Sequence, residues 1–162
     1  MHVQIISLLL LVILSCSKSE EETVNPSYVG KWARIGFNEE NSTNFKQILE
    51  IEKTTFKSNI FIQEDDTFVP YLEYYGTQTV IDNTLEAWVS RIGVANPDNT
   101  YTFQDNTTPN YDNIVFEKLN IHSNFIGTYS IDNKTLTLRL DMDNDGSVSG
   151  SEGLFIFQLN EN

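Results

Sequence analysis

The chain has 162 residues, 40% of them hydrophobic, and a single cysteine. That is enough for one domain with an ordinary core, and it excludes an internal disulfide and a thiolate zinc site. The balance of 10 Lys+Arg against 23 Asp+Glu, a formal net charge of −13, repels phosphate backbones, so nucleic acid is excluded as a partner while cations and basic partners are favoured. His2 and His122 are the only histidines, so a multi-histidine metal site cannot be built and a Ser/His/Asp triad in the folded part would have to use His122.

Residues 1–15 carry an apolar run from Val3 to Leu14 that closes on Ser15-Cys16 and then turns polar and acidic. The run is shorter than the roughly 20 residues a spanning helix needs. It resembles a bacterial lipoprotein signal peptide, in which an aliphatic residue, a small or apolar residue and Gly, Ala or Ser precede the cysteine, as in Ile13-Leu14-Ser15-Cys16. The resemblance implies removal of residues 1–15 and lipidation of Cys16, palmitate included, which anchors the mature chain to a membrane and uses up its only thiol. Ser17-Lys18-Ser19-Glu20-Glu21-Glu22-Thr23 is similar to the signal that sends Bacteroidota lipoproteins to the outer face of the outer membrane. A charged, apolar-poor stretch is equally a solvated tether, which leaves a periplasm-facing lipoprotein as the alternative. Residues 16–26 are read as tether and residues 27–162 as the folded domain.

From there the chain reads as β almost throughout. Short stretches rich in Thr, Tyr, Phe, Ile and Val alternate apolar with polar residues between Asn/Asp/Gly turns. Strands are predicted over residues 30–37, 46–52, 55–63, 71–82, 85–93, 101–104, 113–120, 125–132, 135–141 and 154–159. Eight to ten short strands predict an antiparallel up-and-down barrel, with a β-sandwich as the alternative. Glu64-Asp65-Asp66 reads as a solvated hairpin tip. Leu85, Trp88, Val89 and Ile92 fall at helical spacing, but the segment Gly76 to Leu85 echoes Gly127 to Leu136. The second segment reads as a hairpin about Asn133, so the first is read as strand-turn-strand too. In the later hairpin Leu136, Leu138 and Leu140 should share the buried face. His122, among Asn and Ser residues, reads as a lone surface histidine near a strand end.

The domain opens on Tyr28-Val29-Gly30-Lys31-Trp32. Its Gly-x-Trp resembles the first strand of the lipocalins, and the hairpin Gly127 to Leu140 resembles the lipocalin-like domains of Bacteroidota lipoproteins. The resemblance implies a barrel with Trp32 plugging one end, and either Arg139 or Arg91 in the place of the arginine that stacks on it.

Asp141-Met142-Asp143-Asn144-Asp145-Gly146-Ser147-Val148-Ser149-Gly150-Ser151-Glu152 satisfies the calcium-loop pattern D-x-[DN]-x-[DN]-G-x5-E at every fixed position. Calcium takes six to eight oxygen ligands. Asp141, Asp143, Asp145 and Glu152 would give carboxylates, Ser147 its carbonyl, and Ser149 a direct or water-mediated ligand. Four carboxylates in so short a loop repel one another unless a cation or open solvent separates them. The loop is EF-hand-like in sequence, but strands flank it, which predicts a structural calcium closing a hairpin. Tyr71, Tyr74, Trp88 and Tyr101 are candidates for lining a barrel mouth or a flat sugar-binding face.

The expectation is a non-enzymatic binding or scaffold lipoprotein whose partner is a small apolar ligand, a glycan or a protein. The alternatives are a carboxylate-pair hydrolase such as a glycosidase, for which no pair stands out, and a structural subunit of a surface complex.

Overall fold

The structure, a computed structural model, describes residues 28–39, 42–142, 145–148 and 153–161. The signal segment, Cys16 and the tether lie outside them, as do Asp143, Ser149 and Glu152. Strands β1 (Gly30–Asn38), β2 (Thr43–Ile51), β3 (Thr55–Glu64), β4 (Thr67–Ile81), β5 (Thr84–Ala95) and β6 (Tyr101–Asp105) are followed by helix α1 (Tyr111–Leu119) and by β7 (Asn124–Asp132), β8 (Thr135–Leu140) and β9 (Leu154–Leu159). Each strand pairs antiparallel with the next around β1-β2-β3-β4-β5-β7-β8-β9, and β9 returns to β1. Eight strands thus close an up-and-down, lipocalin-like barrel, and β6 is an extra strand on the far half of β5. The closing seam is short, with β1 and β9 pairing at Trp32↔Leu159 and Ala33↔Gln158.

Alternation decides what fills the barrel. Leu136, Leu138 and Leu140 are buried on β8 as expected, while Arg139 between them is exposed. Trp32 is 2% exposed and its indole Nε1 donates to the Tyr28 carbonyl at 3.0 Å, fastening the chain entry across that end of the barrel. Neither predicted arginine fills the expected place over it: Arg91 lies over the Phe103 ring at 3.6 Å, and Arg139 is on the outer face.

The echo is structural. Ile81↔Thr84 and Asp132↔Thr135 close matching turns, and Asp82 and Asn133, equivalent in the two segments, both adopt left-handed backbone at φ 55 and 53. The β3–β4 tip repeats the device with Asp65 at φ 52, and short polar side chains tolerate that conformation best after glycine. The two glycines that open the echoed segments share a role: a Cβ on Gly76 would stand 2.3 Å from the Trp88 carbonyl oxygen, and one on Gly127 2.7 Å from that of Arg139. Both let neighbouring backbone approach more closely than any side chain permits.

The helical spacing in residues 85–92 has a different cause. Pairing of β4 with β5 shifts between Tyr75↔Arg91 and Gly76↔Val89, leaving Ser90 as the extra residue of a bulge. The bulge resets the alternation, so Leu85, Val89 and Ile92 all face inward while Trp88 stays 46% exposed.

Residues 113–120 are not a strand. Residues 113–119 belong to α1, which buries Tyr111 and Val115 one turn apart and is bracketed by Asn110 and Asn120, both left-handed at φ 58 and 55. Asn120 closes the last turn by donating its N–H to the Phe116 carbonyl, and Asp112 and Lys118 sit at the ends that the helix dipole favours for their charges. The helix enters where β7 begins, at Trp88↔Asn124, and packs into the barrel core on that side. Strand β4 also begins earlier than predicted, running through Pro70. The β3–β4 register shifts there, from Ile60↔Leu72 to Phe61↔Pro70, and a bulge is where a strand tolerates a residue without an N–H.

Candidate functional site

The barrel interior is not completely filled. A cavity of about 160 Å³ runs between Leu49, Ile51 and Leu85 of the barrel wall, Phe155 and Phe157 of β9, and Leu119 at the end of α1. Its lining is mainly apolar, and among the described residues its charged members are Arg34 and Lys118, both cationic. That is the reverse of the chain as a whole, which carries −13.

Arg34 is on the inward face of β1, one residue beyond the last β1–β9 pair. Its Nε donates to Gln47 Oε1 at 2.6 Å. Since guanidinium can only donate, the Gln47 oxygen must face it, and the amide Nε2 is left to donate to Ser58 Oγ at 2.9 Å and Tyr74 OH at 2.8 Å. Gln47, Ser58 and Tyr74 are all buried. The guanidinium is also stacked among rings, 5.0 Å from Phe45, 4.5 Å from Phe155 and 5.3 Å from Phe157. Burial pulls its pKa below the ordinary arginine value, against a raising influence from Tyr74, and pushes the Tyr74 hydroxyl upward. Among the described residues no carboxylate pairs with Arg34, and the N–H groups of its two terminal nitrogens find no acceptor.

Sequence reasoning passed over this cluster, although a signal was there. In β1 the buried alternation runs from Trp32 to Arg34, and in β2 Gln47 interrupts the series Phe45, Leu49, Ile51. A charge and an amide on the apolar faces of adjacent strands mark a polar site inside the barrel.

The candidate aromatics do not form one surface. Tyr74 lines the cavity. Tyr71 and Trp88 face outward, 40% and 46% exposed. Tyr101 joins Phe103 and Tyr75 in a ring cluster over the outer face, with centroids 5.8 and 6.2 Å apart. Beneath that cluster Tyr75 OH donates to Glu73 Oε1 at 2.5 Å and Lys57 Nζ meets Glu73 Oε2 at 2.7 Å, which satisfies a buried carboxylate on the outside of the barrel.

His122 is half-buried and partnered, not a lone surface residue. Its Nδ1 is 2.8 Å from Asp112 Oδ2, while the N–H and hydroxyl of Ser123 donate to Asp112 Oδ1 at 2.6 and 2.7 Å. The serine hydroxyl therefore serves the aspartate and does not face the imidazole, so these three residues do not form a nucleophilic triad. They tie the first turn of α1 to the entry of β7. The His122 bond first, then those of Ser123, hold the Asp112 carboxyl down to about 2. Because its folded pKa is depressed, Asp112 contributes stability above the ordinary carboxylate range and loses it as pH falls toward 2. The side chain is 48% exposed, so screening keeps the contribution to about 1 kcal/mol or less. Asp112→Asn should melt below the parent at pH 7, and the gap should shrink as pH falls from 4 to 2. Thermal melts across that range check it; a pH-independent gap would mean that lost hydrogen-bond geometry, not charge, is responsible.

In the acidic loop Asp141 is 4% exposed. Its Oδ1 accepts the N–H of Asp145 at 3.3 Å and its Oδ2 that of Gly146 at 2.8 Å, while Asp145 Oδ1 accepts the Ser147 N–H at 2.7 Å. Gly146 makes the turn at φ 85. The N–H groups of Asp145 and Gly146 are therefore both turned onto the Asp141 carboxylate. Of the predicted ligands, Asp141, Asp145 and Ser147 are described, and Asp143, Ser149 and Glu152 lie outside the described residues.

The barrel thus carries two separate features with chemistry in them, a cationic apolar cavity and an acidic loop between β8 and β9. No family model matches the chain, and no curated protein matches it.

Proposed function

We propose that the protein is a non-enzymatic binding lipoprotein, held at the cell surface of the outer membrane by lipidated Cys16, whose barrel takes a small apolar ligand. The observation that carries this reading is the cavity of about 160 Å³ with its mainly apolar lining. A space of that size, walled by Leu, Ile and Phe, accepts a small apolar molecule in preference to water. The acidic loop has a supporting role in this reading. Calcium held by the carboxylates of Asp141, Asp143, Asp145 and Glu152, the Ser147 carbonyl and Ser149 would neutralise the charge packed between β8 and β9. The buried Asp141, whose carboxylate gathers the N–H groups of Asp145 and Gly146, supports this reading. With strands on both sides of the loop, its contribution is to stability.

The test is to fill the cavity. Ala87 is 3% exposed and lines it, so Ala87→Phe should occupy the space from within. The expected result is calorimetrically detectable binding of a neutral apolar probe such as 1-hexanol to the parent, at least tenfold weaker binding to the variant, and a melting temperature within a few degrees of the parent. Equal binding by both proteins would place the probe elsewhere and remove the basis of the reading.

A further inference from the structure

The charge inside the cavity specifies the ligand more closely. An apolar lining alone would be served best by an apolar residue at position 34. A half-buried arginine on the inward face instead loses part of its hydration, a loss that a protein normally repays with a carboxylate. Here Gln47 repays one N–H through Nε, and the three phenylalanine rings offer only their π faces. The donors on the two terminal nitrogens, with no acceptor among the described residues, form the edge of the guanidinium that matches two oxygens of one planar anion. Lys118, itself exposed, adds a second positive charge to the lining, and among the described residues no Asp or Glu lines the cavity. Acid dominates the chain as a whole, yet the charges that line the cavity are cationic. Attraction of the anion by the overall charge cannot be the reason, since the net charge repels it; the preference must be local.

We propose that the ligand of the barrel is an apolar carboxylate, its anionic head paired with Arg34 and its apolar body lying toward Leu49, Ile51, Leu85 and Leu138. This rests on the reading of the barrel as a binder of small apolar molecules, and it adds the charge and polarity of the ligand. The buried network has a positioning role in it. Gln47 is fixed by Ser58 and Tyr74 and in turn fixes the plane of the guanidinium. The cavity volume restricts the body to a short aliphatic chain or a single ring.

The experiment compares matched acids and alcohols, hexanoate with 1-hexanol and phenylacetate with 2-phenylethanol, by calorimetric titration at neutral pH against the full-length protein, Arg34→Met and Arg34→Lys. A charge-assisted hydrogen-bond pair corresponds to roughly 10- to 100-fold in affinity. The parent should bind each acid tighter than its alcohol by about that factor. Arg34→Met should lose the preference while keeping its alcohol affinity, and Arg34→Lys, which keeps the charge but not the fork, should fall between. Equal binding of acid and alcohol by the parent overturns the proposal and leaves the apolar-binding reading standing, whatever the variants do. An acid preference that survives in Arg34→Met also overturns it, because the anion then pairs elsewhere. If the parent binds neither acid nor alcohol, the apolar-binding reading fails and the proposal with it. Should Arg34→Met not fold, as its melt would reveal, Arg34→Lys decides: an undiminished preference there overturns bidentate pairing.

Discussion

Trp32→Ala is expected to destabilise the protein by about 3–5 kcal/mol and to lower its melting temperature by roughly 10–20 °C. The indole is 2% exposed, packs in the core cluster and donates to the Tyr28 carbonyl at 3.0 Å. Removing it leaves a void beside its cross-strand partners Leu49 and Leu159, and it frees the Tyr28 carbonyl that anchors the chain entry. The site also sits at the weakest joint of the barrel. Trp32↔Leu159 is one of the two pairs that join β1 to β9, so the same substitution loosens the closure. Ile35→Ala serves as the control. Ile35 is on the same strand but 70% exposed, and surface truncations of that kind stay within about 0.5 kcal/mol. Equal small losses from both would mean that Trp32 does not plug the barrel.

The contrast between Trp32 and Ile35 also explains what the sequence made readable. Period-two alternation announces a strand with one buried face, and here it located eight of the nine strands and the orientation of Leu136, Leu138 and Leu140. It failed where the chain departs from that period for a local reason. At Ser90 a bulge turns strand spacing into apparent helical spacing, and only the echo with Gly127 to Leu136 kept the segment a strand. At residues 111–119 the reverse happened. Ile114, Val115 and Phe116 have high β propensity, yet propensity yields to context. The helix is set by its left-handed Asn brackets and by Tyr111 and Val115 meeting the core together. The acidic loop stands out in the sequence because its carboxylates are contiguous. The Arg34 site is not contiguous, since Arg34, Gln47, Ser58 and Tyr74 come from four successive strands and meet only when those strands pair. In the chain the signal is only a charge and an amide on apolar faces; the rest lies in the register, Arg34↔Gln47 and Ser58↔Tyr74 being direct cross-strand partners.

Calcium should raise the melting temperature of the protein by roughly 5–10 °C when present at about 100 times its Kd, the equivalent of about 2.7 kcal/mol. The sharper test is a change of sign in one variant. Asp145→Asn keeps an oxygen for the Ser147 N–H, which Asp145 now accepts at 2.7 Å, and removes one negative charge from a loop that holds four carboxylates in its calcium-loop pattern. With chelator present, repulsion is relieved and the variant should melt at or slightly above the parent. With calcium present, a ligand charge is missing and the variant should melt several degrees below it. An acidic turn that simply faces water predicts the first result without the second: the variant would equal or exceed the parent under both conditions, and the N–H bonds gathered by Asp141 would by themselves account for the shape of the loop.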